Sequence, residues 1–81
     1  MKYSVFVNVM LKEGIADPQG RTIENALPAL GYSGVGDVRV GKRIELNVEA
    51  DDTEDARRKV TEMCERLLAN PVIEEFEVSL P

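Results

Sequence analysis

A chain of 81 residues fits one domain, spanning 1–81, and at this size a single core only just offsets chain entropy, so oligomerisation is expected to help hold it together. One cysteine and no histidine exclude an internal disulfide, a zinc site of the usual Cys and His ligands, and the commonest general base near neutral pH. Lys and Arg number 10 against 15 Asp and Glu, a net charge of −5 that opposes phosphate backbones, and no apolar run approaches a leader's core or a membrane span; the expected protein is cytoplasmic and binds neither nucleic acid nor membrane.

In the first segment Tyr3, Val5, Val7, Val9 and Leu11 alternate with Lys2, Ser4 and Asn8, the period of two that marks a half-buried strand. Phe6 and Met10 interrupt the polar parity. Two apolar residues on the outer face of an otherwise well-patterned strand suit contact with another subunit, partial cover by the chain's own loops being the alternative. The link from Leu11 to Gly20 carries Asp17-Pro18, a helix N-cap and a first-turn proline. It also carries Lys12, Gly14 and Gly20, which a connection this short does not require.

Over Pro18 to Leu30, Ile23, Ala26, Leu27 and Leu30 recur at the spacing of one helical face. Pro28 removes a backbone donor and crowds the carbonyl of Glu24, so the helix is expected to kink or end near Leu27, with Gly31 taking the left-handed position after it. Val38, Val40, Ile44, Leu46 and Val48 then share one parity, with Arg39, Arg43, Glu45, Asn47 and Glu49 on the other. One long strand over 35–49, bent at Gly41, is the preferred reading. A hairpin with a three-residue loop, Gly41 to Arg43, also keeps the faces apart, whereas a two-residue turn would mix them.

The acidic run Asp51 to Asp55 opens a second helix through capping and the macrodipole. Its stripe of Ala56, Val60, Met63, Cys64, Leu67 and Leu68 places Cys64 in the core as a buried, inert thiol. Asn70-Pro71 ends the helix. Val72, Glu74, Phe76, Val78 and Leu80 against Ile73, Glu75, Glu77 and Ser79 mark a third strand, with Glu74 facing inward near the sheet's end. The expected fold is α+β, in the order β-α-β-α-β (the middle strand long and bent, or a hairpin): a mainly antiparallel sheet with two helices on one face. The opposite face, with Phe6, Met10 and Ile73, is left to water or a partner.

Gly36 to Lys42 approximates a G-x-x-x-x-G-K phosphate loop, but Arg43 stands where Ser or Thr is required and the residues fall within a strand pattern rather than before a helix. Asp51, Asp52, Glu54 and Asp55 read as helix-capping residues, Glu74, Glu75 and Glu77 as an alternating strand, and Arg57-Arg58-Lys59 as a solvated helix face. No nucleophile-base pair assembles, so no catalytic, cofactor-binding or metal-binding residue is assigned. Caps and turns account for Asp17, Gly20 and Asn70 better than for Lys12 and Lys42.

Four segments together resemble a known family: Val7 to Lys12 running into Asp17-Pro18-Gln19-Gly20; Ala26-Leu27 to Leu30-Gly31-Tyr32; Val38 to Leu46; and Met63 to Glu74. In order and spacing, over essentially the whole chain, they are similar to PurS, the small subunit of phosphoribosylformylglycinamidine synthase; Pro28 departs from the family pattern. The resemblance implies a non-catalytic subunit of an ATP-consuming ligase in purine biosynthesis. As a homodimer or dimer of dimers, it would bridge the synthetase and glutaminase subunits and assist ammonia transfer, with ATP and magnesium on the synthetase and no cofactor of its own. Lys12, Asp17, Pro18, Gly20, Gly41, Lys42, Asn70 and Pro71 are then family-motif positions at subunit surfaces or shaping them. The rival reading is a dimeric α+β regulatory domain that binds an amino acid or similar ligand between paired sheets, with Gly31, Gly34 and Gly36 admitting it.

Overall fold

The alternating valines of the first segment form the central strand. The computed structural model describes residues 1–81 and runs β1 (Lys2–Leu11), α1 (Pro18–Ala26), a 3-10 turn (Pro28–Leu30), β2 (Gly41–Glu49), α2 (Thr53–Met63), a π turn (Cys64–Leu68) and β3 (Glu74–Ser79). The sheet is antiparallel throughout, in the order β2-β1-β3. Its register sets Val5 opposite Leu46, Val7 between Ile44 and Val78, and Val9 beside Phe76, so the apolar parities of all three strands share one face. α2 and the π turn pack across that face through Ala56, Val60 and Cys64. Burying each of Val5, Val7 and Val60 completely contributes about 1.5–3 kcal/mol.

α2 starts where the acidic run predicts. The Asp52 carboxylate accepts the Asp55 N–H at 2.7 Å, and Asp55 reaches back to accept the Asp51 N–H at 3.0 Å, satisfying orphan donors in the manner of a capping box. The Asp51 N–H, with Arg58 and Lys59 beside it, holds the Asp55 carboxyl down from 3.8 to about 2. A folded-state value below the unfolded one means that this contribution is complete above the unfolded value and is lost as pH falls through the folded one. Asp55→Asn is therefore expected to lower the urea midpoint at neutral pH and to flatten its decline between about pH 4 and pH 2. Equal pH slopes for the two proteins would contradict it.

Arg57 and Lys59 do more than solvate a helix face: they donate to the Val78 and Glu49 carbonyls at 2.8 and 2.9 Å, fastening α2 to both edge strands. Cys64 is fully buried, and burial pushes its thiol pKa up, as expected of an inert core cysteine. Leu67 departs from the predicted stripe and is 83% exposed. The last turn is wider than α, with the Ala69 N–H donating to the Cys64 carbonyl at 3.1 Å, and the extra residue turns Leu68 and Ala69 inward in place of Leu67.

The middle strand is neither of the two predicted forms. β2 begins only at Gly41, opposite Met10, and Val38 to Val40 lie outside the ladder. Of the two helices, α2 covers the sheet face, whereas α1 starts beside the same face at the sheet's end, across a cleft lined by Val9, Leu11, Lys42 and Glu74, and packs with the 3-10 turn without comparable contact with any strand. α1 does end as Pro28 requires, at Ala26, and Gly31 is left-handed at φ 96. The radius of gyration is 16.2 Å, against about 12 Å for a compact chain of this length. Much of the length belongs to an arm rather than to the core.

Candidate functional site

Met10 and Gly41 are paired, so residues 11–40 leave the sheet and return at neighbouring positions, at the end where β3 also begins. All eight family-motif positions gather there. Lys12 N–H donates to the Ile73 carbonyl at 2.9 Å, and Lys12 Nζ donates to the Pro71 carbonyl at 2.7 Å, tying β1 to the turn after α2. Within that turn Asn70 Oδ1 accepts the Val72 N–H at 3.1 Å, and the Asn70 N–H donates to Glu74 Oε1 at 2.7 Å. The inward Glu74 predicted from parity is thus a turn-closing carboxylate.

Asp17 serves two segments at once. Oδ1 accepts the Gly20 N–H at 2.9 Å, capping α1, and Oδ2 accepts the Val40 N–H at 2.9 Å. Those two N–H groups, chiefly that of Gly20, with Arg39 nearby, hold its carboxyl below the ordinary value. One helical turn beyond Gly20, Glu24 Oε1 accepts the Val38 N–H at 3.0 Å. Gly20 is the one buried residue of α1, and a Cβ there would lie 2.4 Å from the Val38 carbonyl oxygen. Residues 38–40 therefore run against α1 as a strap whose amides bond to carboxylates instead of to a strand.

Glu24 was not among the residues singled out from the sequence. Its signal was present, because Asp17, Gly20 and Glu24 sit at i, i+3 and i+7 on one helical face. The apolar stripe drew attention away from it, yet that stripe is largely open, with Ile23 43% and Leu30 72% exposed.

Lys42 shares the parity of Ile44 and Leu46 and points to the α2 side of the sheet, beyond the reach of α2. With Leu11, Asp17, Gln19 and Glu74 it lines a cleft of about 310 Å3 between the start of α1 and the sheet's end. Gly41 is fixed by close approach, since a Cβ would lie 2.4 Å from the Val9 carbonyl oxygen. On the opposite face of the sheet Phe6 and Met10 are half-buried, and the Arg43 guanidinium sits 4.2 Å from the Phe6 ring centroid. Ile73 lies in the turn before β3 rather than on that face's ladder. The carboxylates of Asp17, Glu24 and Glu74 are all committed to backbone N–H groups, an arrangement that positions chain segments.

No helix is long and apolar enough to cross a membrane. The family described as PurS: phosphoribosylformylglycinamidine (FGAM) synthase matches residues 4–81. The chain is 50% identical over 74 residues to a phosphoribosylformylglycinamidine synthase subunit PurS of Bacillus subtilis, covering 91% of this chain and 87% of that one. It is 41% identical over 78 residues to the subunit of the same name from Methanocaldococcus jannaschii, covering 96% and 94%. Among solved structures, a chain in the structure of PurLQS from Thermotoga maritima superposes with a TM-score of 0.91 at 38% identity, covering 100% of this chain and 99% of that one. With matches of this length and identity joined to the same fold, the chain belongs to the PurS family.

Proposed function

We propose that this chain is the small subunit of phosphoribosylformylglycinamidine synthase, working in the cytoplasm as part of a glutamine-dependent, ATP-consuming ligase. It bridges the synthetase and glutaminase subunits and assists ammonia transfer between them. ATP and magnesium belong to the synthetase, and this chain carries no catalytic group. The observation that carries the reading is family membership over 4–81, together with a site whose carboxylates organise backbone. Lys12, Asp17, Pro18, Gly20, Gly41, Lys42, Asn70 and Pro71 shape the end of the sheet presented to partners. Phe6 and Met10 mark the homodimer surface, with a dimer of dimers as the larger assembly.

The test is reconstitution with the synthetase and glutaminase subunits from the same organism. Omitting this chain is expected to abolish most glutamine-dependent amidation while leaving amidation from added ammonium salt less affected. Unchanged glutamine-dependent turnover and unchanged complex formation would refute the bridging role.

A further inference from the structure

We propose that residues 15–40 form a stiff lever, hinged on the sheet at Glu13-Gly14 and at the Val40–Gly41 junction, that closes over the cleft above Lys42 and Glu74. Three features make the segment one body. Asp17 joins the start of α1 to Val40, Glu24 joins its middle to Val38, and Gly20 seats the helix directly on the Val38 carbonyl. Helix and strap cannot separate without breaking bonds to buried or half-buried amides.

Attachment of this body to the sheet is slight by comparison. Both chain crossings lie side by side, at Met10 and Gly41, which defines an axis rather than a broad base. α1 has no substantial packing on any strand. Apart from the turn bond from the Ile15 N–H to the Lys12 carbonyl at 3.2 Å, one hydrogen bond crosses from lever to sheet, donated by the Arg39 guanidinium to the Leu11 carbonyl. Gly14, at φ 84, supplies a residue at the outgoing crossing that adopts left-handed backbone freely.

The cleft supplies room for the motion. Its sheet side carries Leu11, Lys42 and Glu74 and its lever side Asp17, Pro18 and Gln19, so closure buries Leu11 against Pro18 and brings the Lys42 ammonium toward the Asp17 end of α1. A few loop or element-terminal residues absorbing the rotation while a rigid element swings is the usual form of hinge closure, on microsecond to millisecond timescales.

The full-length protein tests this directly. Spin labels placed by Asn25→Cys on α1 and Glu62→Cys on α2, diluted with unlabelled protein, report the lever-to-core distance by double electron–electron resonance. The expected result is two resolved distance populations. Arg39→Gln, which removes the tie across the hinge, is expected to raise the shorter-distance population, with Val38 and Val40 amides as protected from hydrogen exchange as in the parent. A single narrow distance unmoved by Arg39→Gln would overturn the hinge. Loss of Val38 and Val40 protection along with the shift would overturn the lever, because the arm would then be unfolding rather than pivoting. Neither result depends on the subunit assignment, which the reconstitution tests separately.

Discussion

Gly20→Ala is expected to destabilise the protein by about 1–3 kcal/mol, although on helix propensity alone the change stabilises a helix interior by about 1 kcal/mol. The sign is decided by what the new methyl group meets. It would stand 2.4 Å from the Val38 carbonyl oxygen and 2.7 Å from Asp17 Oδ2. Neither is the free end of a flexible side chain, since the first is backbone and the second is the oxygen that receives the Val40 N–H. Relief requires the strap to lift, and lifting it releases both carboxylate clips. A chain of this length has a stability of about 4–12 kcal/mol, so the loss is a sizeable share of the total. The urea midpoint of Gly20→Ala should fall, with faster amide exchange at Val38 and Val40, while Gln19→Ala on the exposed side of the same turn should leave both unchanged. A raised midpoint for Gly20→Ala would show that propensity governs and that the helix is not seated on the strap.

This position also shows how far the sequence was legible. Strand β1, the capped start of α2, the inward Glu74 and the end of α1 before Pro28 follow from local rules, because alternation, capping carboxylates and proline act within a few residues. The α1 face was misread for a physical reason. An apolar stripe normally marks the buried side, but here the side facing the chain is Asp17, Gly20 and Glu24: Asp17 and Glu24 bond to backbone that arrives 23 and 14 residues later, and Gly20 lets that backbone approach. Periodicity cannot report a partner that remote.

The strap failed for the same reason. Val38 and Val40 have strand-like parity, but their amides bond to the Glu24 and Asp17 carboxylates rather than to a strand. Leu67 needed the π turn, whose hydrogen bond has no signature in residue type. The motif residues were found as a set by resemblance, and their division into a Lys12–Pro71 clamp and an Asp17–Val40 clip became visible only in three dimensions.

Phe6→Asp combined with Met10→Lys is expected to convert the assembled protein to monomer, with its secondary structure retained. Both residues lie on the face that α2 does not cover, and within one chain each new charge finds a complement. Phe6 sits beside the Arg43 guanidinium, which would offset for an aspartate the like charge of its cross-strand partner Glu45, and Met10 is paired with Glu75, which a lysine would face. The single-chain cost is therefore small, whereas at an apolar contact between copies the same charges are desolvated without partners, a penalty of several kcal/mol per ion. Val7→Ala supplies the contrast. Val7 is fully buried on the other parity, so its truncation should cost roughly 2–3 kcal/mol of fold stability and leave the mass unchanged. Light scattering and urea melts on the same samples separate the two faces: mass falls with stability kept for the double variant, and stability falls with mass kept for Val7→Ala. An unchanged mass for Phe6→Asp with Met10→Lys, the protein remaining folded, would move the homodimer contact off this face of the sheet. The open apolar stripe of α1 would then be the surface to test.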